Sequence, residues 1–405
     1  MAEALRFALY RPHAEIWFRN NLGRILRRDL MPNKYAPFLD YLRRAIEIEL
    51  IFVSRLDGGL LMRLGDAFQL WFWSYFTGLS GTRIAWMASG VEHAQVLFLM
   101  HYGNLTYERQ EEANRKLGVA QALGRLQLRK VVHMTHYVYC VDTGAANLNA
   151  LAPDLLVAES NLADHSAFYR AHFSEVRAPF SCLPYTVSER FQQYKSWAQR
   201  SNKMVVTGSI TYKMKDPAFC EFFQTQELQP MRRRLLETAS SYISEMECLV
   251  SDLDSTRKDA RPSRLCRVWN LLRRITGARA QGDYYKRDIV EIYNSYTMFA
   301  VPEEVCGLPA IGFVEGMACG SAYLGVEGPM YRDLGMVPGV HYIAYDGSVE
   351  HLMAQVREHQ RDPERTKAVA DAGREFVHKT LRADAVYGAF VRSLHDLVST
   401  SELRV

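Results

Sequence analysis

Residues 298–325 read MFAVPEEVCGLPAIGFVEGMACGSAYLG. An apolar strand (298–302) runs into two acidic residues and a Gly/Pro-rich loop. A short helix of small residues (312–319) follows, and then a second strand (322–325). This order presents a helix N-terminus at the carboxyl end of a parallel strand. Backbone N–H groups and the helix dipole favour a phosphate there, so the amides of Gly312, Phe313 and Val314 are the expected donors. Gly307 and Gly312 let the backbone approach a ligand closely. Gly316, Ala318 and Gly320 keep the helix slim against the sheet. Glu315, one turn in, carries two acceptor oxygens and no donor, which suits the vicinal hydroxyls of a ribose.

The same alternation extends outward in both directions. Apolar strands are expected at 6–10, 49–54, 95–100, 130–140, 154–159 and 180–184. Helical stretches at 15–28, 35–47, 108–126 and 164–173 separate them. After a polar, aromatic connection at 188–202, a strand at 203–208 opens the second half. Helices are expected there at 230–253, 288–296, 349–360, 366–380 and 383–398, with a further strand at 340–345 and a loop at 251–263. Apolar strands without alternation, separated by helices, indicate parallel sheets covered on both faces. The fold class is therefore α/β: two Rossmann-like doubly wound domains, 1–190 and 203–382, facing a cleft. The closing segment, 383–405, is expected to pack back toward the N-terminal domain.

The chain has 405 residues, 48% hydrophobic and 23% charged, which suits two ordinary folded cores. Its net charge of +4 is small against 49 basic and 45 acidic side chains and does not call for nucleic acid. Seven scattered cysteines without CxxC spacing read as reduced thiols of a cytoplasmic protein. No apolar run reaches the ~20 residues of a spanning helix. The longest, FQLWFWSYFTGL at 68–79, reads as a buried helix or as a surface anchor at the inner face of a membrane. P-loop, GxGxxG, HExxH and GxSxG patterns are absent. Asp252 and Asp254 have D-x-D spacing but sit in the expected loop, so no obligatory metal and no further cofactor is expected. The basic residues between Arg261 and Arg287 interleave with Trp269, Tyr284 and Tyr285, a pattern suited to anionic lipid headgroups or a lipid-linked phosphate.

The second half resembles the retaining GT-B glycosyltransferases related to glycogen synthase and the lipopolysaccharide sugar transferases. Their motif has the form E-G-F-G-L-P-x-x-E-A-M-A-C-G. This chain has Glu304, then Gly307-Leu308-Pro309, then Glu315-Gly316-Met317-Ala318-Cys319-Gly320. Asp288 to Tyr296, Gly339 to Ile343 and Asp362-Pro363-Glu364 are similar to flanking family segments. The resemblance implies that Glu315 binds the donor ribose. It implies that Glu304, or its neighbour Glu303, stands by the donor sugar. The spacing departs from the family: ten residues rather than seven separate Glu304 from Glu315. A solvated loop end is the alternative for Glu303 and Glu304.

By the same resemblance, Gly208, Ser209 and Lys213 match the turn and basic residue that hold the diphosphate. The family's arginine after the glycine is replaced by Ser209, and Lys213 or Lys215 is the substitute; Lys286 and Arg287 are weaker placements. A histidine at a strand end touching the donor sugar is matched by His136, with His133 nearby. A hydrogen-bonded core role is the alternative for both. Glu159 ends its strand and offers an acid or base; His13, Tyr102, Asn104 and Tyr107 are further contacts for the first domain. The implied activity is sugar transfer from a nucleotide-sugar donor, as substrate, to a saccharide or lipid-linked saccharide acceptor in bacterial surface polysaccharide or glycoconjugate synthesis. Two rivals stay open: a sugar-nucleotide epimerase on the same fold, and a non-catalytic membrane-associated binding protein.

Overall fold

The computed structural model describes residues 4–10, 36–57, 59–76, 82–105, 110–210, 213–252 and 287–402. The expected helix at 15–28, His13, Tyr107, Asp254, Lys286 and nearly all of the basic stretch 261–287 lie outside the described residues. Seven parallel strands form the first sheet: β1 (Leu5–Tyr10), β2 (Ile48–Val53), β3 (Arg83–Ala85), β4 (Val96–Leu99), β5 (Arg129–His133), β6 (Leu155–Ala158) and β7 (Phe180–Cys182). Their spatial order is β3-β2-β1-β4-β5-β6-β7. Five more build the second sheet: β8 (Ser201–Val206), β10 (Met246–Cys248), β12 (Tyr296–Ala300), β13 (Ala322–Val326) and β14 (Ile343–Tyr345), ordered β10-β8-β12-β13-β14. Two-residue strands β9 (Ser209–Ile210) and β11 (Ser251–Asp252) pair separately. Both sheets are doubly wound and parallel, as the apolar, non-alternating strands require.

The strand faces show why. Leu5, Phe7 and Leu9 of β1 join one buried cluster, while Ala8 and Tyr10 join another. A period of two with both faces apolar leaves no solvent side. In β12, Phe299 and Val301 (just past its end) face one core and Met298 and Ala300 the other.

In the N-terminal domain the helices are α1 (Ala36–Arg44), α2 (Leu60–Phe76), α3 (Gln110–Gly124), α4 (Val141–Leu151), α5 (Leu162–His165) and α6 (Ala167–His172). The second domain carries α7 (Pro217–Phe223), α8 (Pro230–Thr238), α9 (Ile289–Ser295), α10 (Gly312–Ala318), α11 (Pro329–Asp333), α12 (Val349–Arg361), α13 (Pro363–Thr380) and α14 (Ala383–Glu402). Two expectations are corrected. The run 130–140 does not continue as strand beyond His133, because His136 and Cys140 take left-handed φ values of 56° and 50° and turn the chain into α4. The helix expected over 230–253 ends at Thr238, and the chain returns as β10.

The two domains are tied at several points. Asp333 at the end of α11 accepts from Ser160 Oγ, from the Asn161 amide at 2.9 Å and from His165 Nε2 at 2.8 Å. These contacts hold its carboxyl below the usual range even though burial opposes them. Asp216 caps its own helix through Ala218 N (3.0 Å) and reaches the Val141 amide opening α4 at 3.1 Å. Phe168 of α6 packs on Phe222 and Phe223 of α7 at 5.2 Å each. Tyr387 and Phe390 of α14 lie against Phe38 of α1, with ring centroids 5.0 and 6.1 Å apart.

Helix α10 touches β12 through glycines. A Cβ on Gly316 would lie 2.3 Å from the Phe299 ring, and one on Gly312 would lie 2.9 Å from Val301 and from Tyr293 Oη. That ring has no room to yield, since Tyr293 and Tyr323 flank it at 5.0 and 5.1 Å. Gly316→Ala is expected to lower the unfolding free energy by about 1–3 kcal/mol in urea titration. Gly65→Ala, on exposed α2 with nothing within 4 Å, is the control and should be neutral or slightly stabilising.

Candidate functional site

In open parallel sheets a ligand crevice forms at the carboxyl ends of the strands where the winding reverses. In the second sheet that point lies between β8 and β12, where the Thr207 amide bonds Ala300 O at 3.0 Å. The β8 strand leaves it through Gly208, whose φ of 127° suits glycine. Arg232, reaching in from α8, sits over this turn. Its Nε donates to Pro302 O at 2.9 Å and its Nη1 to Ser209 O at 3.0 Å, so one buried guanidinium clamps the exits of both strands. Among the described residues Nη2 has no hydrogen bond. A charged donor with spare N–H groups at a strand-end crevice is suited to an anion.

Arg232 is the residue that sequence reasoning missed. It was visible only as part of a basic run at 232–234, with no spacing to tie it to Gly208. The structure keeps Gly208 and Ser209 at this turn, but Lys213 is exposed, its backbone bridged to Glu227.

Helix α10 begins beside the same crevice. Its preceding residue, Ile311, is already helical and carries no side-chain cap. The first turn is therefore tight: Phe313 N bonds Ala310 O at 3.0 Å and Val314 N bonds Ile311 O at 3.1 Å. This corrects the expected phosphate donors, since Phe313 and Val314 spend their amides inside the chain. Among the described residues the Ile311 and Gly312 amides have no hydrogen-bond partner. The far end of α10 is closed by buried Arg200, which donates to Cys319 O and Gly320 O, both at 2.8 Å. A cation on terminal carbonyls stabilises that end.

Glu315 is half-buried on α10, and its side chain makes no hydrogen bond among the described residues. Burial pushes its carboxyl up to about 7, with Arg190 of the interdomain connection pulling the other way. An acceptor pair left without donors in a partly dry place is costly unless a ligand supplies them.

The two neighbouring glutamates part company. Glu303 turns into the second domain, where its Oε1 accepts from Tyr331 Oη, from Tyr323 Oη at 3.1 Å and from the Val326 amide at 3.1 Å. Burial, then Glu303 itself, raises both tyrosines far above their ordinary range and keeps them as donors. Glu303 is thus a structural anion, away from the role expected of it. Glu304 has other neighbours, Gln229 Nε2 at 3.4 Å and Cys306 Sγ at 3.8 Å. Cys306 and Leu308 pack into the N-terminal domain's core cluster.

Across from them stands Glu159, at the end of β6. It is buried; its Oε1 accepts from Thr135 Oγ1 at 3.4 Å and lies 3.9 Å from His133 Nε2, and its Oε2 has no partner. Both Glu304 and Glu159 act on the Cys306 thiol, which burial and then these charges raise well above its ordinary range. Both carboxylates thus act on the same buried thiol. The His136 ring lies 5.6 Å from His101 and 5.8 Å from Tyr139 on the N-terminal domain. Tyr102 and Asn104 are corrected to structural roles. Tyr102 is buried over Gly144 and bonds Cys140 O at 3.2 Å, and buried Asn104 faces Tyr10 O at 3.5 Å. Asp252 pairs with Arg233 at 3.3 Å.

Neither a protein-family model nor a curated protein sequence matches the chain. Solved structures do. HepE from Anabaena in complex with UDP-glucose is 11% identical, with a TM-score of 0.54 over 97% of this chain and 100% of that one. Sucrose-phosphate synthase from Thermosynechococcus elongatus is 12% identical, with a TM-score of 0.52 over 98% and 100%. A glycosyltransferase from Rickettsia africae is 10% identical, with a TM-score of 0.53 over 98% and 99%. At such identities the likeness is one of fold: this chain shares the two-domain GT-B fold of glycosyltransferases.

The Glu315 shift fixes a sign. Below pH 4.5 the carboxyl is protonated whether the chain is folded or not, so it has no pH effect. Between about 4.5 and about 7 only the folded state keeps the proton, so stability falls as pH rises through this window. Melting curves should show Glu315→Gln more stable than the parent at pH 8 and equal to it at pH 4. A pH-independent difference would place Glu315 in ordinary solvent.

Proposed function

We propose that the chain is a glycosyltransferase that moves a sugar from a nucleotide-activated donor to an acceptor hydroxyl. The observation that carries this reading is the Arg232 guanidinium clamped over the Gly208–Ser209 turn at the β8–β12 switch point, with the unpartnered Glu315 side chain on the neighbouring helix. In this reading Arg232 holds the donor phosphate and Glu315 accepts from the ribose hydroxyls. The full-length likeness in fold to HepE, solved with UDP-glucose and with UDP, supports a uridine nucleotide as the first donor to try.

In this reading the transferred sugar lies beside Glu304. The bond from the anomeric carbon to the phosphate oxygen breaks, and its electron pair leaves with the nucleotide. The acceptor oxygen forms the new bond, and its proton passes to a carboxylate or to the departing phosphate. Arg232 is worth most in the transition state, when charge gathers on the leaving oxygen in a site closed to water. Retention at the anomeric carbon follows the motif resemblance around Glu304 and Glu315. The acceptor is a saccharide, free or lipid-linked, of a bacterial surface polysaccharide or glycoconjugate, and the reading assigns no metal.

A thermal-shift screen against UDP, GDP, ADP, CMP and dTDP tests it, because a ligand that binds only the folded state raises its melting temperature. One nucleotide should stabilise the protein. Arg232→Ala and Glu315→Ala should each weaken its affinity by roughly tenfold or more, about 1.4 kcal/mol. No shift with any of the five would remove the donor assignment, and unchanged affinity in both variants would move it off this crevice.

A further inference from the structure

Helix α8 opens on a glutamine that does not cap it. Gln229 is the N-cap residue, with Pro230 at the first helical position, yet its side chain makes no capping hydrogen bond. Asn, Asp and Ser do this well, because their acceptor lies close to the backbone. Gln229 is buried, 4% exposed, and its Oε1 has no hydrogen-bond partner. A buried carbonyl oxygen without a donor is a cost that packing does not repay, since an apolar side chain of the same length avoids it. Among the described residues the side chain makes one hydrogen bond, from Nε2 to Glu304 Oε1 at 3.4 Å.

The backbone around Gln229 is held without that bond. Leu228, just before it, is fully buried in the N-terminal domain's apolar cluster. Leu228 O accepts from the Val305 amide at 2.8 Å, so residues 228 and 229 meet residues 305 and 304 in two adjacent contacts. Upstream, the segment 213–227 closes on itself: Met214 N bonds Gln226 O at 2.7 Å, and Lys213 bridges Glu227. It is seated on the N-terminal domain by Asp216 on the Val141 amide and by Phe222 and Phe223 on Phe168. Downstream, Arg233 N bonds Gln229 O at 3.3 Å as α8 begins. The amide's direction follows from chemistry. A carboxylate accepts and does not donate, so the N–H end faces Glu304 and Oε1 is turned away.

We propose that Gln229 is the positioning residue for Glu304, fixing its carboxyl where the donor sugar binds. This role rests on the transferase reading, in which that sugar lies beside Glu304. Gln229 acts through its neighbour, so its loss is felt by the sugar half of a donor and spares the nucleotide half. Glu304 is half-buried, and in the free protein water replaces a missing donor, so the fold does not depend on the bond.

Calorimetric titration of the full chain with two probes, UDP-glucose and UDP, tests it. Gln229→Met should bind UDP-glucose roughly tenfold more weakly than the parent, with UDP affinity within about twofold. Its melting temperature should hold or rise, because the orphaned oxygen is gone. Gln229→Asn keeps the amide, loses the reach and is the better cap. It should show the same loss in a protein at least as stable, and it gives the reading should the methionine variant not fold. Glu304→Ala should also weaken UDP-glucose, and adding Gln229→Met to it should weaken it no further, since two residues acting through one bond do not add. Unchanged UDP-glucose binding by the folded Gln229 variants would overturn the role and leave the transferase reading standing. So would equal losses for both probes, additive losses in the double variant, or a melting temperature that falls in both Gln229 variants, the mark of a structural tie. A parent that binds neither probe would remove the uridine donor and this role with it.

Discussion

The contact on which the second domain depends is the close approach of α10 to β12. Gly312 and Gly316 lie four apart and so share one face of the helix, the face that meets Val301 and Phe299. With side chains there the helix would stand off the sheet by more than an ångström. The separation matters for what lies one position away. Glu315 precedes Gly316, so the contact that seats the helix also fixes where the carboxylate stands. Arg200 locks the other end by binding the last carbonyls, and it does so from the interdomain connection. The helix is therefore held against the sheet by sterics and against the connection by charge.

The ties between domains have a common chemistry. Asp333 gathers three donors from the N-terminal domain, and Asp216 lends one oxygen to its own helix and the other to the start of α4. Each is a carboxylate satisfied by amides or by small polar groups, a type of contact that can reform after separation at modest cost. The aromatic packing of Phe168 on α7 and of Phe38 on α14 is the larger apolar term.

Much of the fold was legible because burial on both strand faces writes an unbroken apolar run, and β4 and β6 are such runs. The helix boundaries at Asp288 and Ser348 could be read from capping residues, and both do cap. What failed has physical reasons. Residues 130–140 are apolar throughout, and composition does not report the positive φ at His136 and Cys140 that ends the strand. The aromatic run at 68–79 gave the helix but not its rotation, because an apolar face looks the same whether it meets a core or water. Arg232 was invisible as a site residue because its meaning comes from a fold-back over Gly208, twenty-four residues earlier in the chain. Tyr102 and Asn104 have the chemistry of sugar contacts, yet a neighbouring glycine at 144 leaves a slot that the tyrosine fills from within.

The pair Glu303–Glu304 shows how far a motif can be carried. Sequence places two identical carboxylates side by side and cannot choose between them. The choice is made by Tyr323 and Tyr331, which come from other segments and offer two hydroxyls at one point inside the second domain. A buried phenol needs an acceptor as much as a buried carboxylate needs donors, so Glu303 and the two tyrosines satisfy one another. With Glu303 committed there, the outward position falls to Glu304 without any preference of its own.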